Sequence, residues 1–396
     1  MRVVLTTETY LPYVSGVTVS VDALARSLGA RGHEVLVVAP RPAPGHQVEA
    51  VGSPGPEPRH AWLPSFQLRV APQGYRVPWP LPWTDAMARA AAFRPDVVHA
   101  HSPFVTGLMA RRLAASAGAP LVFTHHTRFA AYGHYLGPLA GPGVVLTDAY
   151  LAAFWRACAA IVAPSSDLGG EICERLPAGR RDRVHVIPTG VDVSGLRVIA
   201  PREGRPEVGW PAEAVVAVTL GRLAPEKSVD TVLDAVAMAT ASHPELRLQV
   251  VGGGPSEPAL RRRADAPDLA GRVHLTGALP RPEALARVAG GDIFVFASRT
   301  ETQGLVLAEA LALGLPAAAV DGPGVRDSVR DGVDGVVVPA EPKATRVARL
   351  ADTIGALVAD ADRRSDLALR AREGADRFSL ARRAEEVEAL YQHLAG

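Results

Sequence analysis

The sequence predicts an α/β protein built from two doubly wound, parallel-sheet domains in tandem, and three observations carry the prediction. Continuous apolar runs too short for helices alternate with amphipathic segments from the first residues onward. The alternation breaks in a Gly/Pro/Arg-rich interval, "SGLRVIAPREGRPEVGWPAEA", and then restarts. A chain of 396 residues with 48% apolar content is also too long for one ordinary core, which suits two domains.

Taken in order, "RVVLTTE" reads as a strand, "VSVDALARSLGARG" as an amphipathic helix closed by Gly32, and "EVLVVAP" as the next strand, a βαβ opening. "DVVHAH" and "FVTGLMARRLAASAG" follow, then "PLVFTHH" with a polar aromatic loop, "AAIVAPS" with "SDLGGEICERL", and "VHVIPTG". After the break come the strands "AVVAVTLGR", "LRLQVVGGG", "RVHLTG", "DIFVFAS", "LPAAAV" and "GVVVP", separated by helical segments, and a helical tail from about Thr345. The reading places an N-terminal Rossmann-like domain at residues 1–195, a linker at 196–212, a C-terminal Rossmann-like domain at 213–378, and a closing helix at 379–396 that can pack back on the N-terminal domain. Ligands of such sheets bind beyond the carboxyl ends of the strands, so two facing domains would form one interdomain cleft.

Composition narrows the class. Cys158 and Cys173 are the only cysteines, which argues against a disulfide scaffold or a cysteine-built metal site and fits a reducing cytosol. The N-terminus carries Glu8 and Pro12 where a signal peptide would need an apolar core, and no long uncharged apolar stretch follows, so neither export by that route nor a membrane span is expected. The net charge of +1 hides a split: residues 1–200 hold 18 Arg and no Lys against 13 acids, and the remainder holds 24 basic residues against 28 acids. Between Asp96 and Asp148 there is no acid, while Arg111, Arg112, Arg128 and five histidines fall there. That half can attract phosphate or an anionic surface, although any single arginine can equally be a solvated surface group. No nucleic-acid-binding motif is found. Only Lys227 and Lys343 interrupt a chain with forty arginines, so a lysine kept against that bias points to a need for its compact ammonium.

The motifs lie just after expected strands. In "SRTETQGLVLAEALALG", Glu301 sits on a strand-to-helix loop and Glu309 about one turn inside the helix. The amides of Gln303, Gly304 and Leu305 fall among the unpaired donors of the first turn, which favour an oxygen-rich or anionic ligand. The plainer alternative makes Thr302 an N-cap and both glutamates solvated. "GRLAPEKSVD" puts Arg222 and Lys227 on another strand-to-helix turn, where a diphosphate can meet a guanidinium, an ammonium and helix-start amides together. The plainer alternative is a surface pair with Glu226. "VVGGGPSE", from Gly252, has Glu257 where G-x-G-x-x-G needs its third glycine, so the dinucleotide fingerprint fails and a nicotinamide dehydrogenase is disfavoured. "YVSGV", around Gly16, would be a second phosphate-facing loop.

"VFTHHTRFAAYGHYLG" holds His125, His126, Arg128, Tyr132, His134 and Tyr135; with no nearby acid or cysteine to complete a ligand set it is a poor zinc site and reads better as a sugar or acceptor site. Asp360 and Asp362 spell D-x-D but fall in the helical tail, where capping or solvation suits them better than a metal.

Together, "SGV" after the first strand, "GHEVLVVAP", "THHT", "IPTGVD", "GRLAPEK", "VVGGGP" and the E-x7-E of "ETQGLVLAEA" resemble the retaining glycosyltransferases of family 4, which have the GT-B fold. The resemblance runs in order along nearly the whole chain. It implies transfer of a hexose from a nucleotide diphosphate sugar with retention of α configuration, without a metal or other cofactor. By position, Arg222 and Lys227 would hold the donor diphosphate, Glu309 the ribose hydroxyls, and Glu301 the sugar hydroxyls with the amides of Gln303, Gly304 and Leu305. Gly16 and Gly252 would allow close backbone approach, His126 would face the transferred sugar, and backbone at Gly277 to Pro280, including Leu279, would read the base.

"HTRFAAYGHY" and "TETQG" are most similar to bacterial glycolipid synthases that glucosylate diacylglycerol from UDP-glucose at the cytoplasmic membrane face. The stretch from Arg59 to Phe93 has one acid, Asp85, with Trp62, Phe66, Tyr75, Trp79 and Trp83 among arginines, a pattern that suits an anionic headgroup interface or, alternatively, a folded core segment. Arg128, Tyr132, His134, Trp79 and Trp83 are therefore candidates for acceptor or membrane contact. GDP-mannose as donor and phosphatidylinositol as acceptor remain open, as do a non-catalytic sugar-nucleotide-binding protein and a sugar-nucleotide epimerase.

Overall fold

In a computed structural model, residues 1–45, 54–67, 74–80, 84–129, 140–200, 204–205 and 208–396 are described, with backbone only at 140–142. The chain divides into two compact units, Met1–Gly190 with Leu380–Gly396, and Val191–Ser379.

The first unit is built on a seven-stranded sheet in the order β3-β2-β1-β6-β7-β8-β9, every pair parallel. Its strands are β1 (Arg2–Thr6), β2 (Glu34–Pro40), β3 (Arg59–Leu63), β6 (Val97–Ala100), β7 (Leu121–Thr124), β8 (Ala160–Ala163) and β9 (Val184–Val186); β4 (Ser65–Phe66) and β5 (Val77–Pro78) form a small antiparallel pair beside it. Strands β6, β7 and β8 are buried at every position, as expected where helices cover both faces of a parallel sheet. The Gly16–Ala30 helix opens the βαβ unit, with Ser15 as N-cap: its Oγ accepts from the Thr18 amide at 3.2 Å. Gly118, at φ 65°, closes the Val105–Ala117 helix.

The second unit has a six-stranded parallel sheet in the order β12-β11-β10-β13-β14-β15, from β10 (Val215–Leu220), β11 (Leu246–Val251), β12 (Val273–Leu275), β13 (Ile293–Phe296), β14 (Ala317–Val320) and β15 (Gly335–Val338). Two apolar clusters cover its faces. One joins Val232, Leu233, Leu248 and Val250 to Leu350 and Ile354; the other joins Val216, Phe294 and Phe296 to Leu307, Leu311 and Phe378.

The boundary between units falls at Gly190, ahead of the Gly/Pro/Arg-rich break. Val191 and Val193, just before the break, and Leu196, at its start, bury themselves in the second unit's core, so this segment already belongs to that unit. The closing helix, Leu380–Ala395, packs in the first unit beside Gly16–Ala30; Arg31 bonds Glu385 and Glu388, and Tyr391 is fully buried. Asp360 caps the Ala361–Gly374 helix through the Arg363 amide, and Asp362 is exposed in its first turn. Both cysteines are free thiols. No helix among the described residues is long and apolar enough to cross a membrane.

Candidate functional site

In the second unit four loops meet at the carboxyl edge of the sheet, where a doubly wound sheet presents its ligand site. The glycines explain how they come so close. A Cβ on Gly252, at φ 134°, would stand 2.0 Å from the Gly221 carbonyl oxygen, and one on Gly254 would stand 2.4 Å from that of Leu223. The Gly252 amide also bonds the Gly277 carbonyl at 3.2 Å. The "VVGGGP" turn is thus required by packing of the loops after β10, β11 and β12, and Gly252 is in place for its neighbours whether or not a ligand approaches it. Leu279, half-buried, follows Gly277 in the last of these loops.

Lys227 ends a 3₁₀ turn, Pro225–Lys227, and Ser228 follows in the left-handed region at φ 51° before the Val229–Thr240 helix. That turn aims the ammonium at the loop after β13: Nζ lies 2.5 Å from Glu301 Oε1, and both side chains are mostly buried. Lys227 therefore pairs with Glu301, on a loop seventy-four residues later. Arg222, on the same turn, is exposed.

The helix after Glu301 spans Leu305–Ala312. Its N-cap position is Gly304, at φ 76° and ψ 55°, two residues after Thr302. Gly304 takes a backbone shape costly for any other residue, and the amides at this helix start have no intrahelical acceptor. Gln303 is buried; its carbonyl accepts from Ser328 Oγ at 3.1 Å, and Gly324 leaves it room, since a Cβ there would be 2.6 Å from Gln303 Cα.

Glu309 projects from the fifth residue of this helix and is 1% exposed. One carboxylate oxygen pairs with Arg281 of the Arg281–Ala289 helix, and the other, Oε2, is buried with no hydrogen-bond partner. A buried carboxylate oxygen without a donor is costly, and a ligand hydroxyl would relieve it. Neither glutamate is solvated. Arg281 is a site residue that sequence reasoning missed; its only signal was its place at a helix start just after the base-reading loop.

In the first unit, histidines gather at the carboxyl edge. His101 Nδ1 lies 2.9 Å from His126 Nε2, and the two rings stack at 5.2 Å. His99 stacks on His101 at 4.2 Å and is held by Tyr391 Oη on Nδ1 at 2.5 Å and by Thr124 Oγ1 on Nε2 at 2.7 Å. Burial pushes the pKa of His99 and His125 down to about 3 and that of His126 to about 4, and holds His101 well below its usual value. All four are neutral at pH 7. Glu8, at the end of β1, lies at the same edge and was not singled out from sequence as a site residue, nor was His101.

Gly16 begins its helix with nothing within 4 Å of where a Cβ would stand, so packing gives no reason for glycine there. The Arg128 side chain is 9% exposed and tied to Asp167 and Glu171 of the Ser166–Arg175 helix. In the tryptophan-rich stretch the rings divide. Trp62 lies flat on His60 at 4.7 Å within the fold, while Trp79 is 49% exposed beside Phe66. Tyr132, His134 and Trp83 lie outside the described residues. Among the described residues, no group of three or more His, Cys, Asp or Glu side chains is placed to hold a metal ion.

Comparison with known proteins matches residues 14–194 to Glycosyltransferase Family 4 and residues 202–374 to Glycosyl transferases group 1. The chain is 27% identical over 329 residues to an alpha-monoglucosyldiacylglycerol synthase of Acholeplasma laidlawii, covering 80% of this chain and 79% of that one. It is 30% identical over 340 residues to a GDP-mannose-dependent alpha-mannosyltransferase of Mycolicibacterium smegmatis, covering 83% and 82%. The fold matches that of Anabaena HepE, solved with UDP and glucose, at a TM-score of 0.74 and 18% identity over the whole of both chains.

Proposed function

The chain belongs to glycosyltransferase family 4 and has the two-domain GT-B fold, and from that premise we propose that it transfers glucose from UDP-glucose to a membrane lipid, 1,2-diacylglycerol, forming an α-glycosyl lipid. The observation that carries the donor half is the group made by Lys227, Glu301, Glu309 and the helix start at Gly304 on one sheet edge. Arg222 and Lys227 neutralise the diphosphate as charge develops on it in the transition state. The helix-start amides of Gln303, Gly304 and Leu305 and the Glu301 carboxylate hold the sugar, and the orphaned Glu309 oxygen accepts from a ribose hydroxyl.

In this reading the reaction retains the anomeric configuration. The leaving diphosphate departs on the face from which the acceptor attacks and takes the acceptor's proton, so the protein supplies no nucleophile and no metal. The glutamates grip two ends of one donor and are not the acid/base pair of a glycosidase. His126, neutral and half-buried, is in this reading a sugar-contacting residue. The enzyme works at the inner face of the cell membrane, with the exposed Trp79 among its contacts.

A second reading, GDP-mannose as donor and phosphatidylinositol or another lipid as acceptor, draws on the likeness to the mannosyltransferase. Calorimetric titration with UDP and with GDP separates the two: tighter UDP binding supports the glucosyl reading, and tighter GDP binding overturns it. Binding of either nucleotide without turnover on any acceptor would instead mark a non-catalytic sugar-nucleotide binder.

A further inference from the structure

At the carboxyl edge of the first unit's sheet lies a cavity of about 210 Å³, bounded by Glu8, Tyr75, His101, Phe104, His126 and Phe129 among others. One water needs about 10–15 Å³ by this measure, so the cavity takes a ligand of several atoms. Its wall is aromatic: Phe104 meets Phe129 edge-on at 5.2 Å and lies flat against Tyr150 at 5.7 Å. Its charge is one-sided. None of the described residues lining it is a Lys or Arg. Arg128 is turned into Asp167 and Glu171, and Arg76, which follows Tyr75, is held by Ser65 at 2.9 and 2.6 Å. The two imidazoles are neutral, so Glu8 supplies the only formal charge among the described lining residues.

Glu8 has no ion pair among the described residues. The amides of Thr106, at 3.2 Å, and Val105 hold its carboxylate at the start of the Val105–Ala117 helix. Burial raises its pKa, and its charge adds to burial in raising the Tyr75 and Tyr150 hydroxyls. A phosphate entering here would meet a like charge in a poorly solvated site, with no lysine or arginine among the described lining residues to compensate it. A hydroxyl would instead donate to the carboxylate, a charge-assisted bond.

We propose that Glu8 selects the acceptor: its carboxylate receives a hydroxyl of an uncharged lipid headgroup in this cavity and rejects headgroups that carry phosphate. The proposal takes from the glycosyl-transfer reading only that the bound molecule is the acceptor; the binding preference stands by itself.

The test is equilibrium binding of two short-chain lipids below their micelle concentrations, dioctanoylglycerol and dioctanoylphosphatidate, to the full chain and to its Glu8→Gln variant. Glutamine keeps a carbonyl oxygen for the Thr106 amide, so the helix start stays capped, and a melting curve checks that the variant folds. The wild type is expected to bind dioctanoylglycerol about tenfold or more tightly than the phosphatidate, the scale of one charged contact. Glu8→Gln is expected to collapse that ratio mainly by strengthening the phosphatidate. Equal or tighter phosphatidate binding by the wild type, an unchanged ratio in the variant, or saturation by neither lipid would each overturn the proposal. Sugar transfer assayed in parallel separates the two readings: transfer to some other acceptor without glycerolipid binding sinks this inference and the diacylglycerol acceptor but leaves glycosyl transfer standing, and the expected preference without transfer to any acceptor sinks the catalytic reading alone.

Discussion

Lys227 Nζ lies 2.5 Å from Glu301 Oε1, and this pair ties the loop after β10 to the loop after β13 at the sheet edge. In the proposed reading the pair neutralises the site when no donor is bound, and an arriving diphosphate competes with the carboxylate for the ammonium.

Lys227→Ala should therefore weaken UDP binding by about 2 kcal/mol or more, the loss expected for a charge-assisted contact, about thirtyfold in Kd. Calorimetry reads this directly, and unchanged affinity would remove Lys227 from the donor site.

Glu309 tests the other end of the donor. Glu309→Gln should raise the donor Kd about tenfold while leaving the fold intact. Arg281→Ala should act through stability, since it strands a 1% exposed carboxylate without its cation; the expected cost is about 2 kcal/mol or more, seen as a lowered urea midpoint. An unchanged midpoint would mean that water or rearrangement satisfies Glu309.

Tyr391→Phe removes the hydroxyl on His99 Nδ1 and leaves a buried ring nitrogen unpaired, so it should destabilise the first unit by about 1–3 kcal/mol. A melt indistinguishable from wild type would show that the Tyr391–His99 bond adds nothing to the hold on the closing helix.

The buried histidines fix the sign of the acid response. Their folded pKa values lie below the unfolded value near 6.5, so under acid the unfolded chain binds more protons than the native one. This contribution is fully present above pH 6.5 and is lost as pH falls toward about 4 and then 3, at up to about 1.4 kcal/mol per pH unit for each histidine. Glu8, shifted upward, works in the opposite sense. Urea denaturation from pH 7.5 to 4.5 should show stability falling with pH; a flat profile would contradict burial of these rings.

Trp79→Ala should reduce sedimentation with anionic liposomes, because that half-exposed ring is free to enter a headgroup layer. Equal sedimentation would move the membrane contact elsewhere on the chain.

Much of this was legible in the sequence, for local reasons. Each buried strand is a continuous apolar run, and Glu301 and Glu309 follow "DIFVFAS" at a spacing that reads as loop, then helix. What escaped was set by non-local contacts. The edge strand β3 hides in the tryptophan-rich stretch because it is defined by pairing with β2, and the Ala140–Ala157 helix begins with "AGPG", which reads as loop. Arg281, His101 and Glu8 carry no motif; only the fold brings Arg281 to Glu309 and sets Glu8 and His101 on one cavity. The ion partners of Arg128 were not legible because they lie about forty residues later, on another helix.

The most direct measurement is to incubate the purified protein with 1,2-diacylglycerol in mixed anionic micelles and a panel of UDP- and GDP-sugars, and to identify the products by mass spectrometry and their anomeric configuration by NMR. The account predicts an α-hexosyl-diacylglycerol formed from UDP-glucose. A hexosyl lipid formed only from GDP-mannose, or no glycolipid from any donor, would contradict it.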